Sequence, residues 1–231
     1  MSYYLGLSIL SNNPGKNPLN AEARRILSEL ANRPIAENDI TREKQGRPFF
    51  TNRDIQGKAS DFNISHSGAI AAVSLVNGRG IRTGCDIELI RKRTRAREIA
   101  EEFFSIPERG YINFQDRFDE KRFYEIWTLK ECFIKLRGLS VFDMAGIPSF
   151  IREGVFFFDT SVSSPLTFYL YELNNAGERY ILATAIEGAE TEPEIHWFSP
   201  VTPVAGASLL CISIAKIKAA LNPAETVSPK T

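Results

Sequence analysis

The stretch TGCDIELI, residues 83–90, decides the fold because its residues alternate strictly between two kinds of side chain. Successive side chains of an extended strand point to opposite faces. Asp86 and Glu88 therefore share one face, while Cys85, Ile87 and Leu89 share the other. The pattern predicts a half-buried strand that presents two carboxylates. Two acids this close on one face repel each other unless a cation or a basic partner lies between them.

A long helix is predicted downstream, from about Asp119 to Arg137. Gly138 supplies its C-terminal stop. Glu131 and Lys135 lie one turn apart on the less apolar face. The apolar residues of the other face recur at helical spacing and are Phe123, Ile126, Leu129, Phe133, Ile134 and Leu136.

The remaining elements alternate between helices and strands and predict an α+β fold. Before the acidic strand come a strand over 4–10, a helix over 21–31 and a hairpin with arms 62–64 and 69–76 that turns at His66-Ser67-Gly68. After it come a helix over 94–104, closed by Pro107, and strands over 149–158, 166–173, 180–186 and 194–198. Each half runs from a helix into a strand pair, with 69–87 and 180–197 in comparable places, which is a weak sign of a duplicated unit.

Composition excludes several classes of protein. The 231 residues are 43% hydrophobic and carry 28 basic and 28 acidic side chains, which is incompatible with intrinsic disorder and unlike a general polyanion binder. Cys85, Cys132 and Cys211 are too few and too far apart for a disulfide framework or a zinc knuckle. No apolar stretch is long enough for a membrane helix and the first residues lack a basic leader, so we expect a soluble, cytoplasmic protein.

The acids allow two interpretations. Asp86 and Glu88 could belong to a solvated strand face, with Glu131 and Lys135 forming an ordinary helical ion pair. Alternatively, the three carboxylates could bind Mg²⁺, which prefers a few carboxylates together with water and substrate phosphate. Zinc is disfavoured because the two histidines have no ligand-type partners at suitable spacing.

The segment NISHS, residues 63–67, combines two hydroxyls, a histidine and turn amides, which could hold phosphate oxygens. A serine hydrolase is disfavoured because no G-x-S-x-G elbow surrounds either serine. A lone histidine in a hairpin is more often structural than functional.

Four motifs in order along the chain resemble the signature of the 4′-phosphopantetheinyl transferases of the surfactin-synthetase type. They are GRP (46–48), FNISHS (62–67), GCDIE (84–88) and WTLKECFIK (127–135). The resemblance spans roughly residues 20–198. It implies a pseudo-dimer of two similar α+β halves, residues 1–83 and 84–198, with coenzyme A and Mg²⁺ in the cleft between them. Residues 199–231 fall outside the resemblance, as a C-terminal extension and tail.

Matched position by position, the resemblance implies roles for individual residues. The implied metal ligands are Asp86, Glu88 and Glu131, and the implied catalytic residues are Glu131 and Lys135. The implied contacts to coenzyme A are Arg25, Arg47, Ser65, His66, Lys130 and Lys135. Arg47 stands where the family often has lysine, so the charge is kept while the geometry can differ. For Lys130, which lies at the edge of the apolar arc, the alternative is a lysine that extends to solvent.

The implied reaction transfers 4′-phosphopantetheine from coenzyme A to a serine of an apo acyl or peptidyl carrier protein and releases 3′,5′-ADP. Mg²⁺ is the implied cofactor, and either Glu131 or a water molecule is the base. Five basic residues between Arg91 and Arg97 form either a solvated helix entrance or a docking surface for an acidic carrier. We expect a monomer that binds neither nucleic acid nor membrane. The alternatives are a non-catalytic coenzyme A or nucleotide-binding module and a nucleic-acid-binding protein that uses the basic cluster.

Overall fold

The computed structural model describes residues 1–10, 18–51, 61–158, 165–198 and 213–221. The helices are α1 (Pro18–Leu30), α2 (Ala96–Phe103), α3 (Ile106–Ile112) and α4 (Glu120–Arg137), with 3₁₀ turns at Glu37–Asp39 and Val141–Gly146. The strands are β1 (Ser2–Ile9), β2 (Ile40–Arg42), β3 (Pro48–Phe50), β4 (Asp61–Ser67), β5 (Ile70–Asn77), β6 (Arg82–Leu89), β7 (Asn113–Phe114), β8 (Arg117–Phe118), β9 (Ile151–Arg152), β10 (Val155–Phe156), β11 (Leu166–Asn175), β12 (Glu178–Glu187), β13 (Glu194–Phe198) and β14 (Ser213–Leu221).

Two four-stranded sheets, each covered by one helix, carry the described core. The strand orders are β13-β1-β5-β4 and β14-β11-β12-β6. Helix α1 packs on the first sheet and α4 on the second, so the chain has the predicted α+β architecture. No helix among the described residues is both long and apolar enough to cross a membrane.

Alternation along the strands explains why the sheets lie face to face between the two helices. Leu5 and Leu7 of β1, Ile87 of β6 and Leu182 of β12 are buried in the core between the sheets. Their neighbours in sequence face the helices instead: the missing Cβ of Gly6, for example, would lie against Ile26 of α1. Strand β6 is therefore covered on both faces rather than half-buried, because α4 covers the face that was expected to meet solvent.

Two strands cross between the sheets and tie the halves together. Strand β6 follows β5 directly but pairs antiparallel with β12 in the second sheet. Strand β13 follows β12 but pairs parallel with β1 in the first sheet. Each crossing strand is the second member of one of the two strand pairs, 69–87 and 180–197, that the sequence analysis compared.

Local details differ from the sequence-based expectation at several places. The single strand predicted over 149–158 is a short hairpin of β9 and β10. Strand β4 continues through Ser67, which pairs with Ile70, so the turn consists of Gly68 and Ala69, and Gly68 adopts φ +53°. Pro107 lies in the first turn of α3 rather than closing a helix, because Ser105 and Glu108 form a capping box around the new N-terminus.

The C-terminal extension contributes a strand that was not predicted. The backbone of β14 pairs antiparallel with β11 at the edge of the second sheet. The predicted loose tail, residues 222–231, lies outside the described residues.

Candidate active site

The acidic face of β6 lies directly against α4. Gly84, Asp86 and Glu88 point the same way, and a Cβ at Gly84 would lie 2.5 Å from the backbone oxygen of Cys132. Only glycine permits this approach of helix to strand. Helix α4 begins at its N-cap Asp119 and ends at Gly138, which adopts the left-handed conformation. Its residues 127, 131 and 135 recur every four positions and so face the strand together.

Asp86 is the most constrained of the acids. Its side chain is 4% exposed, and its Oδ1 accepts hydrogen bonds from Ser65 Oγ at 2.8 Å and from Lys135 Nζ at 2.6 Å. Its Oδ2 is buried with no hydrogen-bond partner among the described residues. A buried carboxylate oxygen without a partner destabilises the folded state. A cation or a hydrogen-bond donor at Oδ2 would therefore be stabilising.

Glu88 is held at both carboxylate oxygens. Oε1 accepts from Trp127 Nε1 at 3.2 Å, and Oε2 accepts from Ser67 Oγ at 3.1 Å. Burial and the nearby charge of Asp86 raise the pKa of Glu88 above its ordinary value. The sequence analysis gave Trp127 no role, although its spacing of four residues from Glu131 already placed it on the same face of the helix.

On α4, Glu131 lies one turn after Trp127 and one turn before Lys135. Burial, reinforced by the negative charges of Asp86 and Glu88, raises the pKa of Glu131 to about 7, while Lys135 and Arg93 oppose the rise. A carboxylate with this pKa can accept or release a proton near neutral pH.

Lys135 supplies the positive charge of the cluster. Its Nζ donates to Asp86 Oδ1 and, at 2.8 Å, to Ser65 Oγ. Burial alone would lower the pKa of Lys135. The charge and hydrogen bond of Asp86, together with Cys85 and the charge of Glu131, outweigh burial and raise the pKa above its ordinary value. Lys135 is therefore a permanently charged group at the acidic cluster.

The donor set fits a hard cation in its chemistry, since the orphaned Asp86 Oδ2 lies near two further carboxylates. Within the part of the chain that the structure describes, however, no group of three or more His, Cys, Asp or Glu side chains is arranged to hold a metal ion. In this arrangement the ammonium group of Lys135 neutralises Asp86.

A cleft of about 360 Å³ adjoins this cluster. Residues from both halves of the chain line it, including Pro48 and Asn63 from the first half and Lys135, Gly138 and Ser140 from the second. Lys135 belongs to both the cleft and the acidic cluster. The lip formed by residues 138–141 was not recognised in the sequence, because only the folding of both halves brings it opposite residues 46–48.

Ser65 and His66 lie in strand β4 rather than in a turn. Ser65 reaches the cluster through its bonds to Asp86 and Lys135. His66 is exposed near the end of the strand. The structure therefore brings Ser65, Asp86, Glu88, Glu131 and Lys135 together.

Arg47 lines the cleft, and its guanidinium is engaged within the protein. Arg47 is 6% exposed, and its guanidinium forms a bidentate ion pair with Asp61. It also donates to the backbone oxygens of Pro48, Thr83 and Lys135. These contacts use its five N–H donors, so Arg47 links the first half of the chain to β6 and α4.

Lys130 and Arg25 lie in other environments. Lys130 is 1% exposed and its Nζ pairs at 3.2 Å with Glu108, which is fully buried. Burial lowers the pKa of Lys130, and Glu108 opposes the effect. Arg25 forms ion pairs with Glu22 and Glu29 along α1. The structure does not bring either cation to the acidic cluster.

The basic cluster after β6 is exposed, as the sequence analysis expected for either of its interpretations. Lys92, Arg93 and Arg97 line a groove with Arg117 and Phe118. The guanidinium of Arg93 lies 5.0 Å from the ring of Trp127, which in turn bonds Glu88. Arg93 therefore links the groove to the pair formed by Trp127 and Glu88.

Comparison with known proteins supports the resemblance. Residues 82–185 match the model of the 4′-phosphopantetheinyl transferase superfamily. The 4′-phosphopantetheinyl transferase AcpT of Salmonella typhimurium is 35% identical over 55% of this chain and 62% of its own length. The enzyme of the same name from Escherichia coli is 34% identical over 54% of this chain and 60% of its own length.

A further relative is the 4′-phosphopantetheinyl transferase psf-1 of Bacillus pumilus, 32% identical over 51% of this chain and 47% of its own length. The matches span about half to three fifths of the relatives' lengths. They confirm the predicted resemblance, and the relatives' names are those of the predicted enzyme class.

Proposed function

We propose that this chain is a Mg²⁺-dependent 4′-phosphopantetheinyl transferase, which moves the phosphopantetheine group of coenzyme A to a serine of an apo carrier protein. The observation that carries the proposal is the contact of Lys135 with Asp86 beside the orphaned Oδ2, at the end of a cleft built from both halves of the chain. The similarity of residues 82–185 to transferases of this kind supports it.

In this proposal coenzyme A lies in the cleft, with its pyrophosphate at Lys135 and Ser65. Mg²⁺, held by Asp86, Glu88 and Glu131, would neutralise charge on the pyrophosphate. Lys135 offsets the charge that develops on the departing 3′,5′-ADP. Phosphoryl transfer depends mainly on such positioning and charge neutralisation.

Glu131 is the proposed general base. The serine Oγ of the carrier bonds to the β-phosphorus as the bond from that phosphorus to the 3′,5′-ADP oxygen breaks, and the serine proton passes to Glu131. Without a cation, the pKa of Glu131 is raised to about 7. A bound cation would lower this pKa, so that Glu131 is ionised at neutral pH and able to accept the proton.

The transfer experiment incubates the protein with coenzyme A, Mg²⁺ and several apo carrier proteins and seeks a phosphopantetheine adduct on serine by mass spectrometry. Asp86→Ala should abolish transfer while the variant stays folded, and Glu101→Ala, a change at an exposed acid of α2, should transfer normally. If none of the carrier proteins acquires an adduct, the proposed transferase activity is refuted. Binding of coenzyme A without transfer would favour the non-catalytic binding module.

The basic cluster at residues 91–97 is the proposed docking surface for an acidic carrier. Charge reversal of Lys92 and Arg95 should raise the KM for carrier and leave the KM for coenzyme A unchanged. Arg93 is left intact because it also contacts Trp127. Arg79→Glu is the matched control, since this exposed residue precedes the opposite end of β6. An unchanged KM for carrier would show that the cluster does not belong to the carrier interface.

A further inference from the structure

Strands β4 and β6 lie side by side at the edges of two different sheets. Side chains of β4 accept hydrogen bonds from backbone N–H groups of β6. Thr83 N–H donates to Asp61 at 2.8 Å, Ile87 N–H to Ser65 Oγ at 3.3 Å, and Leu89 N–H to Ser67 Oγ at 3.0 Å. The partners are 22 residues apart each time, so the strands run parallel in a fixed register.

The two serines each make a second bond, and both repeat one pattern. Ser65 Oγ bonds Asp86 and Ser67 Oγ bonds Glu88, the carboxylate that immediately precedes the donating N–H. A hydroxyl carries one proton and two lone pairs. Because the N–H occupies a lone pair of the serine oxygen, the hydroxyl proton is free to point at the carboxylate.

The proposed reaction gives no role to Ser67. Its hydroxyl nevertheless holds Glu88 Oε2, while Trp127 holds Oε1 from the opposite element. With both oxygens bonded, the carboxylate of Glu88 is fixed in one orientation. Loss of either donor leaves the Glu88 carboxylate with one hydrogen bond, so the carboxylate can rotate.

We propose that Ser67 is a positioning residue, which fixes the carboxylate of Glu88 for binding a divalent cation. The proposal rests on the proposed function, since it takes Glu88 as a metal ligand. Mg²⁺ demands near-ideal octahedral geometry, so a ligand free to rotate binds it less well. Partners that orient metal ligands in this way typically contribute 10- to 100-fold to metal affinity or activity.

The test compares three variants of the full-length protein. Ser67→Ala removes the hydroxyl, and Ser67→Thr keeps it in a residue that strands favour. Ser28→Ala is the matched control, because Ser28 Oγ also accepts one N–H, from Ile35 at 3.0 Å, and donates once, to the backbone oxygen of Arg24 at 2.7 Å. Ser28 lies on α1, on the far side of the first sheet from β6.

The first measurement is the Kd for Mn²⁺ of the protein without carrier, determined by electron paramagnetic resonance. The second is the Mg²⁺ concentration that gives half-maximal transfer. Ser67→Ala should raise the Kd for Mn²⁺ and the half-maximal Mg²⁺ concentration by about tenfold each. Ser67→Thr should stay within about threefold of the wild type. Ser28→Ala should lose comparable thermal stability, through loss of two similar hydrogen bonds, without a change in either metal measurement.

Two results overturn the inference while the proposed function stands. One is Ser67→Ala binding Mn²⁺ as tightly as a wild type that itself binds Mn²⁺ and transfers phosphopantetheine. The other is Ser28→Ala weakening Mn²⁺ binding as much as Ser67→Ala. A wild type that neither binds Mn²⁺ nor transfers the group overturns the proposed function and this inference together.

Discussion

Replacing Glu131 by Gln should make the metal-free protein more stable above neutral pH. Burial and the charges of Asp86 and Glu88 raise the pKa of Glu131 from 4.5 to about 7 in the folded state. Between these two values the folded protein holds a proton that the unfolded chain has released. The stability contributed by the protonated carboxyl is therefore complete below about pH 4.5 and is lost as pH rises to about 7.

The size of the effect follows from the pKa. Each pKa unit corresponds to about 1.4 kcal/mol, so the rise to about 7 corresponds to about 3 kcal/mol. Partial exposure of Glu131 to solvent reduces the expected gain to about 2 kcal/mol at pH 8. Gln resembles the protonated carboxyl, so the two proteins should be equally stable near pH 4.5 and should diverge as the pH rises.

The assay is urea denaturation of both proteins in EDTA at several pH values between 4.5 and 8. Glu101→Gln, a change at an exposed carboxylate of α2, serves as the control and should follow the wild type throughout. Excess Mg²⁺ should then stabilise the wild type more than Glu131→Gln, because binding to the folded state adds to its stability. If the Glu131→Gln variant is no more stable than the wild type at pH 8 in EDTA, the raised pKa of Glu131 is refuted.

Three further substitutions test the packing around the site. Gly84→Ala should lower the free energy of unfolding by about 1–3 kcal/mol in urea, because its Cβ would push against the Cys132 backbone oxygen; wild-type stability would contradict this. Arg47→Lys should lower the thermal midpoint through loss of the bidentate pair, and a raised KM for coenzyme A with an unchanged midpoint would instead support the phosphate contact implied by the resemblance. Lys130→Met should lower the free energy of unfolding by about 3–5 kcal/mol, because it leaves the charge of Glu108 buried without a counter-ion. The double variant with Glu108→Gln should recover most of the loss, and equal losses in both would disprove the coupling.

The sequence by itself determined what depends on local periodicity. The alternation of residues 83–90 predicted that Asp86 and Glu88 share a face, and the structure places both against α4. The helix over 119–137 was predicted to within one residue, because Asp119 and Gly138 mark its ends through their own backbone preferences.

The tertiary structure decided the partners of the charged residues. The resemblance implied one shared role for Arg47, Lys130 and Lys135, namely contact with coenzyme A. In the fold, Arg47 meets Asp61, Lys130 meets Glu108, and only Lys135 meets Asp86. Burial and partner differ among the three, and neither is encoded in the residues next to each of them in sequence.

The joining of the two sheets was also beyond local sequence. Strand β13 pairs with β1 across about 190 residues. Ser67 reaches Glu88 only because β6, which follows β5 of the first sheet, pairs with β12 of the second. Such contacts form when burial of both sheet faces outweighs the entropy of closing long loops. That balance belongs to the whole chain, so sequence periodicity predicts the strands but not which strands meet.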